Sequence, residues 1–199
     1  MEGPVRRVVD FNAQLKRTAD QYTPGKIHCP LVEGYDRALY FFGYRGSVRH
    51  TTAAADYTGD WLLRYALDEG TTENLGIPVP FSSVPVLAST SNGESLYGLS
   101  VPGQTMPEPT SQFFHYDLRA RKIVHRSAIS ASGPRAIVVG FEDRAYFGTR
   151  DEASGEGRLV CYDPAKGELR QTRLKIPGDG MLRAASRVDK DGVAWCFSK

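Results

Sequence analysis

The sequence predicts an all-β chain built from a repeated four-stranded unit, and two sets of segments carry the prediction. One set reads GYDRALYFFGYR, SNGESLYGLSVP, FEDRAYFGTRDE and DKDGVAWCFSK. Each is a turn rich in Asp, Asn or Gly, followed by a short aromatic strand. The other reads WLLRYALDEGTTENLGIPVP, QFFHYDLRARKIVHRSAIS and RLVCYDPAKGELRQTRLKIPG. Each of these is an apolar strand ending in Tyr, then a turn, then an alternating strand. Stacking the segments aligns Tyr40, Tyr97 and Tyr146 with Trp195, and Tyr65 with Tyr116 and Tyr162. The interval is roughly 46 to 57 residues, the range of propeller blades once loops are allowed. Helical periodicity is almost absent. Only residues 10 to 22, DFNAQLKRTADQY, are a helix candidate, and a loop suits them equally.

Taken in order, each unit has strands A to D from the axis outward. The first blade, residues 26–80, has A near 27–33, B near 37–43, C near 61–66 and D near 72–77. The second, 81–130, has A near 84–90, B near 95–100, C near 112–117 and D near 121–127. The third, 131–178, has A near 135–140, B near 144–149, C near 157–162 and D near 168–174. Residues 179–199 give strands A and B of a fourth. RRVVDF at 6 to 11 reads as a lone outer strand of a preceding blade, with a linker up to residue 25. The fold class is therefore a partial β-propeller, with three full four-stranded blades and part-blades at both ends.

YDPAKGEL at 162–169 and DKDGVAW at 189–195 resemble the hairpins of bacterial propellers of the YVTN, quinoprotein-like and streptogramin-lyase-like group. The likeness lies at fold level, without a WD dipeptide or a kelch double glycine. It implies a ring larger than this chain, so the expected partners include the remaining blades or a second half-ring.

Composition narrows the function classes. The chain has 199 residues, 41% of them hydrophobic, enough for a core. A net charge of +2 does not suggest a nucleic-acid surface. No apolar run is long enough to span a membrane, and MEGPVRRVVDFNAQL lacks the apolar centre of a signal peptide. The compartment expected by default is the cytoplasm. Cys29, Cys161 and Cys196 form neither a disulfide framework nor a CxxC site, and read as small buried hydrophobes. Alternation puts His28 and Cys29 on opposite faces of strand A, so they do not act as a pair. Pro30 fits an inner strand with one unpaired edge. The recurrent Tyr and Trp of strand B read as core.

Strand A starts and strand B ends on one face of such a ring. Counting back from Tyr40, Tyr97, Tyr146 and Trp195 gives His28, Pro85, Arg135 and Arg183 as equivalent positions at the start of strand A. The ends of strand B add Arg45, Arg150 and Lys199. The longest loop, after the first strand B, carries Arg49, His50, Asp56 and Tyr57. Long loops on one rim of a rigid scaffold commonly hold function. The expected ligand-binding set is His28, Arg45, His50, Arg135, Arg150 and Arg183, a basic mouth suited to a carboxylate. The opposite face carries the A–B hairpins, which read as simple turns.

The expected function is a binding module for a small anionic ligand, a uronate-like saccharide or an acidic protein segment. The alternative is a fragment of a propeller lyase, with His28 as first catalytic candidate for β-elimination. The resemblance brings in metal-binding propeller lyases, for which His28 and His50 are the candidate ligands. Two histidines without a convergent carboxylate make a weak divalent-metal site, so no cofactor is expected. His115 in strand C and His125 in strand D lie too far from the axis to join them.

Overall fold

The computed structural model describes residues 10–14, 26–44, 57–103, 110–130, 135–151, 154–178 and 180–198. Their architecture is all-β, in four antiparallel sheets.

The first sheet joins β1 (Lys26–Ile27) and β2 (Val32–Glu33) to one side of β3 (Ala38–Tyr44), followed by β4 (Trp61–Ala66) and β5 (Thr71–Asn74). The second runs β6 (Ser82–Ser89), β7 (Ser95–Pro102), β8 (Gln112–Asp117) and β9 (Lys122–Ala128). The third runs β10 (Val138–Val139), β11 (Ala145–Arg150), β12 (Gly157–Asp163) and β13 (Glu168–Ile176). The fourth pairs β14 (Leu182–Ala185) with β15 (Cys196–Ser198). Apart from β1 and β2, which both pair with β3, neighbours in sequence are neighbours in each sheet, the meander expected of propeller blades.

Strand A of the first blade differs from the expected continuous strand. It breaks between β1 and β2. Pro30 has no N–H for a ladder, and the Phe42 amide donates to Cys29 Sγ at 3.1 Å instead of to a carbonyl. Near the N-terminus, Phe11–Gln14 form one helical turn, α1, rather than continuing a strand. Gln14 Nε2 donates to the Gly70 carbonyl at 2.8 Å, and its Oε1 accepts from the Thr72 hydroxyl, so this turn sits on the outer edge of the first sheet. Residues 6 to 9 lie outside the described residues.

The core lies between sheets. Tyr40, Phe42, Leu63 and Phe114 belong to one buried cluster across the first and second sheets. Tyr97, Phe113, Phe147 and Tyr162 belong to another across the second and third. Phe113 stacks on Phe147 with centroids 5.0 Å apart and an interplanar angle of 12°. A smaller cluster of Ala136, Ile176 and Leu182 joins the third sheet to the fourth. There the connector passes so close that a Cβ on Gly148 would stand 2.5 Å from the Gly180 carbonyl oxygen.

Polar bonds tie the sheets at both ends. The Tyr35 amide donates to the Gly93 carbonyl at 2.9 Å, and the Ser91 amide to Asp143 Oδ1 at 2.6 Å, linking successive A–B hairpins. At the opposite end, the Asp60 amide donates to the Ser82 carbonyl at 3.1 Å. The acidic hairpins are held by cations on strand C or just beyond it. Arg64 reaches Asp36 at 2.7 Å, and Arg119 reaches Glu94 at 2.7 Å.

Two side-chain expectations are corrected. Cys196 is exposed rather than buried, because the fourth sheet has two strands and little covers β15. Trp195 is likewise exposed, although Tyr40 and Tyr97 at the equivalent position are buried. Cys161 and Cys29 are buried as expected, and burial pushes the Cys29 thiol up to about 11, leaving it a protonated packing group.

Candidate functional site

The inner strands position the candidate side chains. His28 follows the pair Ile27↔Gly43 at the point where β1 ends. Pro85 falls in the shifted register between Ser83 and Val86, and Arg183 in the one between Leu182 and Ala184. Arg135 precedes β10. Thus Pro85 and Arg183 lie at register shifts of their inner strands, His28 just past the end of β1, and Arg135 ahead of β10. Such points release side chains from the ladder and re-aim them. His28, Arg135 and Arg183 are all exposed.

Charge converges on His28. Its pKa lies below the ordinary imidazole value, first through partial burial, then through the positive charges of Lys26 and Arg135. Lys26 and His28 stand on the first blade, and Arg135 leads into the inner strand of the third. Repeat counting did not single out Lys26. The signal was present, because a residue two before His28 shares its side of an extended strand. Cys29 points the other way and is buried, so the adjacent His and Cys do not form a pair.

Arg150 serves its own loop. Its Nε donates to the Gly155 carbonyl at 2.9 Å, in a turn where the Ser154 amide donates to Asp151 Oδ1 at 2.8 Å. Arg45, Arg49, His50, Asp56 and Lys199 lie outside the described residues.

His115 and His125 face each other across β8 and β9, away from the inner strands. His115 Nδ1 lies 3.0 Å from the Tyr162 hydroxyl of the next blade, and burial lowers the His115 pKa to about 4. Both rings pack edge-on or tilted against Tyr162, so they belong to the inter-sheet core. Among the described residues, no group of three His, Cys, Asp or Glu side chains is arranged to hold a metal ion.

A concave cavity of about 580 Å³ lies at the other end of the inner strands. Glu33, Ser89, Asn92, Val139, Ser186 and Arg187 contribute to its wall, so all four inner strands meet around it. The hairpins read from sequence as simple turns therefore also frame a hollow. Its short hairpins carry neither a long loop nor a basic cluster, so no local sequence signal marks it.

One buried carboxylate also stood outside the sequence reading. Asp60 immediately precedes β4 and is 1% exposed. Its oxygens accept from the Val84 amide at 3.0 Å and the Tyr57 hydroxyl at 2.7 Å. Burial pushes its pKa up to about 6 despite those bonds. It joins the first blade to the start of the second on the side of the expected rim.

No family model matches the chain, and no curated protein matches it. Solved structures do. A putative 6-phosphogluconolactonase from Bacteroides uniformis is 18% identical with a TM-score of 0.51, over 83% of this chain and 45% of that one. The β-propeller domain of the Trilobed protease from Pyrococcus furiosus is 8% identical with a TM-score of 0.48, over 74% of this chain and 43% of that one. A mitotic checkpoint complex structure is 11% identical with a TM-score of 0.47, over 84% of this chain and 47% of that one. This chain spans less than half the length of each. Among the described residues no helix is long and apolar enough to cross a membrane. Sheet order, inner-strand convergence and the first of these likenesses agree that the chain is an all-β protein of β-propeller architecture.

Proposed function

We propose that this chain is a propeller binding module whose strand A rim takes a carboxylate-bearing ligand, a uronate-type saccharide being the best-fitting class. What supports the reading is placement: Lys26 and His28 lie at the end of the first blade's inner strand and exposed Arg135 leads into the third's, close enough for both cations to disfavour a charged His28 imidazole. A carboxylate placed beside His28 would meet Lys26 and Arg135 as cations, with the His28 imidazole as a further donor. Charge-assisted bonds of this type contribute about 1.5–3 kcal/mol each when well formed.

Isothermal titration with an oligogalacturonate and with a neutral oligosaccharide of equal length tests the reading. The acidic sugar is expected to bind, to bind more weakly as salt rises, and to lose about tenfold in affinity in Arg135→Gln. Equal binding of the neutral sugar, or an unchanged affinity in the variant, would overturn it.

A second reading is a lyase that uses His28 as base. Its lowered pKa favours the neutral imidazole that proton abstraction needs. An ultraviolet rise from an unsaturated uronate product, lost in His28→Ala, is the expected sign. Binding without that rise leaves the module reading alone.

A further inference from the structure

We infer that the cavity at the hairpin end of the inner strands binds a short free peptide, with its ammonium end at Glu33 and its carboxylate end at Arg187. The strand ladders decide which backbone groups face the cavity. In an antiparallel pair, alternate residues bond to the partner strand, and the residues between them turn their N–H and C=O the other way. The Gly34 amide donates to the Ala38 carbonyl, Thr90 to Ser95, Gly140 to Arg144 and Ser186 to Trp195. One residue before each donor stand Glu33, Ser89, Val139 and Ala185. Their backbone groups therefore point away from the ladder, and all four residues line the cavity.

One residue after the first two donors, the same outward-turned groups find partners within the chain. The Tyr35 amide bonds the Gly93 carbonyl and the Ser91 amide bonds Asp143 Oδ1, each on the next hairpin. At Glu33, Ser89, Val139 and Ala185 the outward groups meet the cavity instead. Four strand edges thus offer backbone donors and acceptors to one hollow, and such groups call for water or for another polar chain. A peptide brings amides of matching kind and spacing.

Charge selects a free peptide. Among the described residues that line the cavity, Glu33 and Arg187 are the charged ones. Glu33 ends β2 in the first sheet, and Arg187 lies just beyond β14 in the fourth. Both are exposed, and neither side chain has an ion pair with a described residue. A uronate would set its own charge against Glu33, and a neutral sugar would leave both charges unmet. A peptide with free ends meets both, with its amides between them. An extended tripeptide spans about 10 Å, and a cavity of about 580 Å³ lies in the range of small-ligand sites.

Calorimetric titration of the full chain with trialanine, N-acetyl-trialanine and trialanine amide tests the inference. Trialanine is expected to bind. Acetylation should weaken binding about tenfold in the parent chain and hardly at all in Glu33→Gln. Amidation should weaken it about tenfold in the parent and hardly at all in Arg187→Gln. Arg135→Gln, at the opposite rim, should leave trialanine affinity unchanged. Both cavity substitutions are at exposed positions, so circular dichroism should match the parent. No binding at millimolar trialanine would overturn the inference. So would equal affinity for free and blocked peptides, or a blocking penalty that persists in the two variants. A loss of trialanine affinity in Arg135→Gln in place of Arg187→Gln would put the peptide on the rim and overturn it equally.

Discussion

Asp60 and His115 are buried ionisable groups that bind neighbouring blades together, and they respond to pH in opposite directions. Asp60 has a folded pKa of about 6 against 3.8 when free. Between those values the folded state holds more protons than the unfolded one. Stability from this group therefore falls as pH rises from about 4 to 6. His115 has a folded pKa of about 4 against 6.5 when free. There the unfolded state holds more protons, so its contribution is complete above about pH 6.5 and is lost as pH falls toward 4. Urea midpoints measured from pH 4 to 7 should separate them. Asp60→Asn removes the falling component, so stability should climb more steeply with pH than in the parent. His115→Phe keeps the ring packing against Tyr162 but removes the climbing component. Asp60→Ala is a different experiment. It strips the acceptors from the Val84 amide and the Tyr57 hydroxyl, and should cost about 2–4 kcal/mol. At the rim, Arg135→Gln removes a positive charge that acts on His28. The His28 imidazole should then titrate at higher pH in an NMR pH series, and an unchanged value would mean the two do not interact.

At the scale of the element, strand positions were legible and strand continuity was not. The turns GYDR, SNGE and DKDG and the aromatic run behind each located β3, β7 and β15, because turn chemistry and alternation are local. The break between β1 and β2 was not legible in the same way. Pro30 pointed to an edge, but the Phe42 amide finding Cys29 Sγ depends on a contact between two strands. Gly148 is a similar case. In sequence it is one more strand glycine, yet in space a Cβ there would meet the backbone that leads to the fourth sheet. Gly148→Ala should force that connector away at a cost of about 1–3 kcal/mol. Hydrogen exchange should show lost protection in β14 and β15, with the first two sheets unchanged. Equal loss in every sheet would mean that the close approach is not what holds the fourth sheet.

At the scale of the whole molecule, the repeat determined the architecture. Four copies of one turn-and-strand pattern imply four sheets, and propeller sheets stack around an axis, so the fold class and the inner-strand positions could be read without coordinates. The candidate rim followed from the same counting, and His28, Arg135 and Arg183 all prove to be exposed. The sequence by itself also separated His28 from Cys29, because alternation along a strand is a local rule. The tertiary structure decided the rest. It set the charges of Lys26 and Arg135 to act on His28, withdrew Arg150 to its own loop, buried Asp60 between blades and framed a cavity at the other end of the inner strands. It also left Trp195 open where Tyr40 and Tyr97 are covered. Each of these depends on which sheet packs against which. A residue's type and spacing specify its strand and its face, but burial and electrostatic environment come from neighbours distant in sequence, and only packing brings those neighbours together.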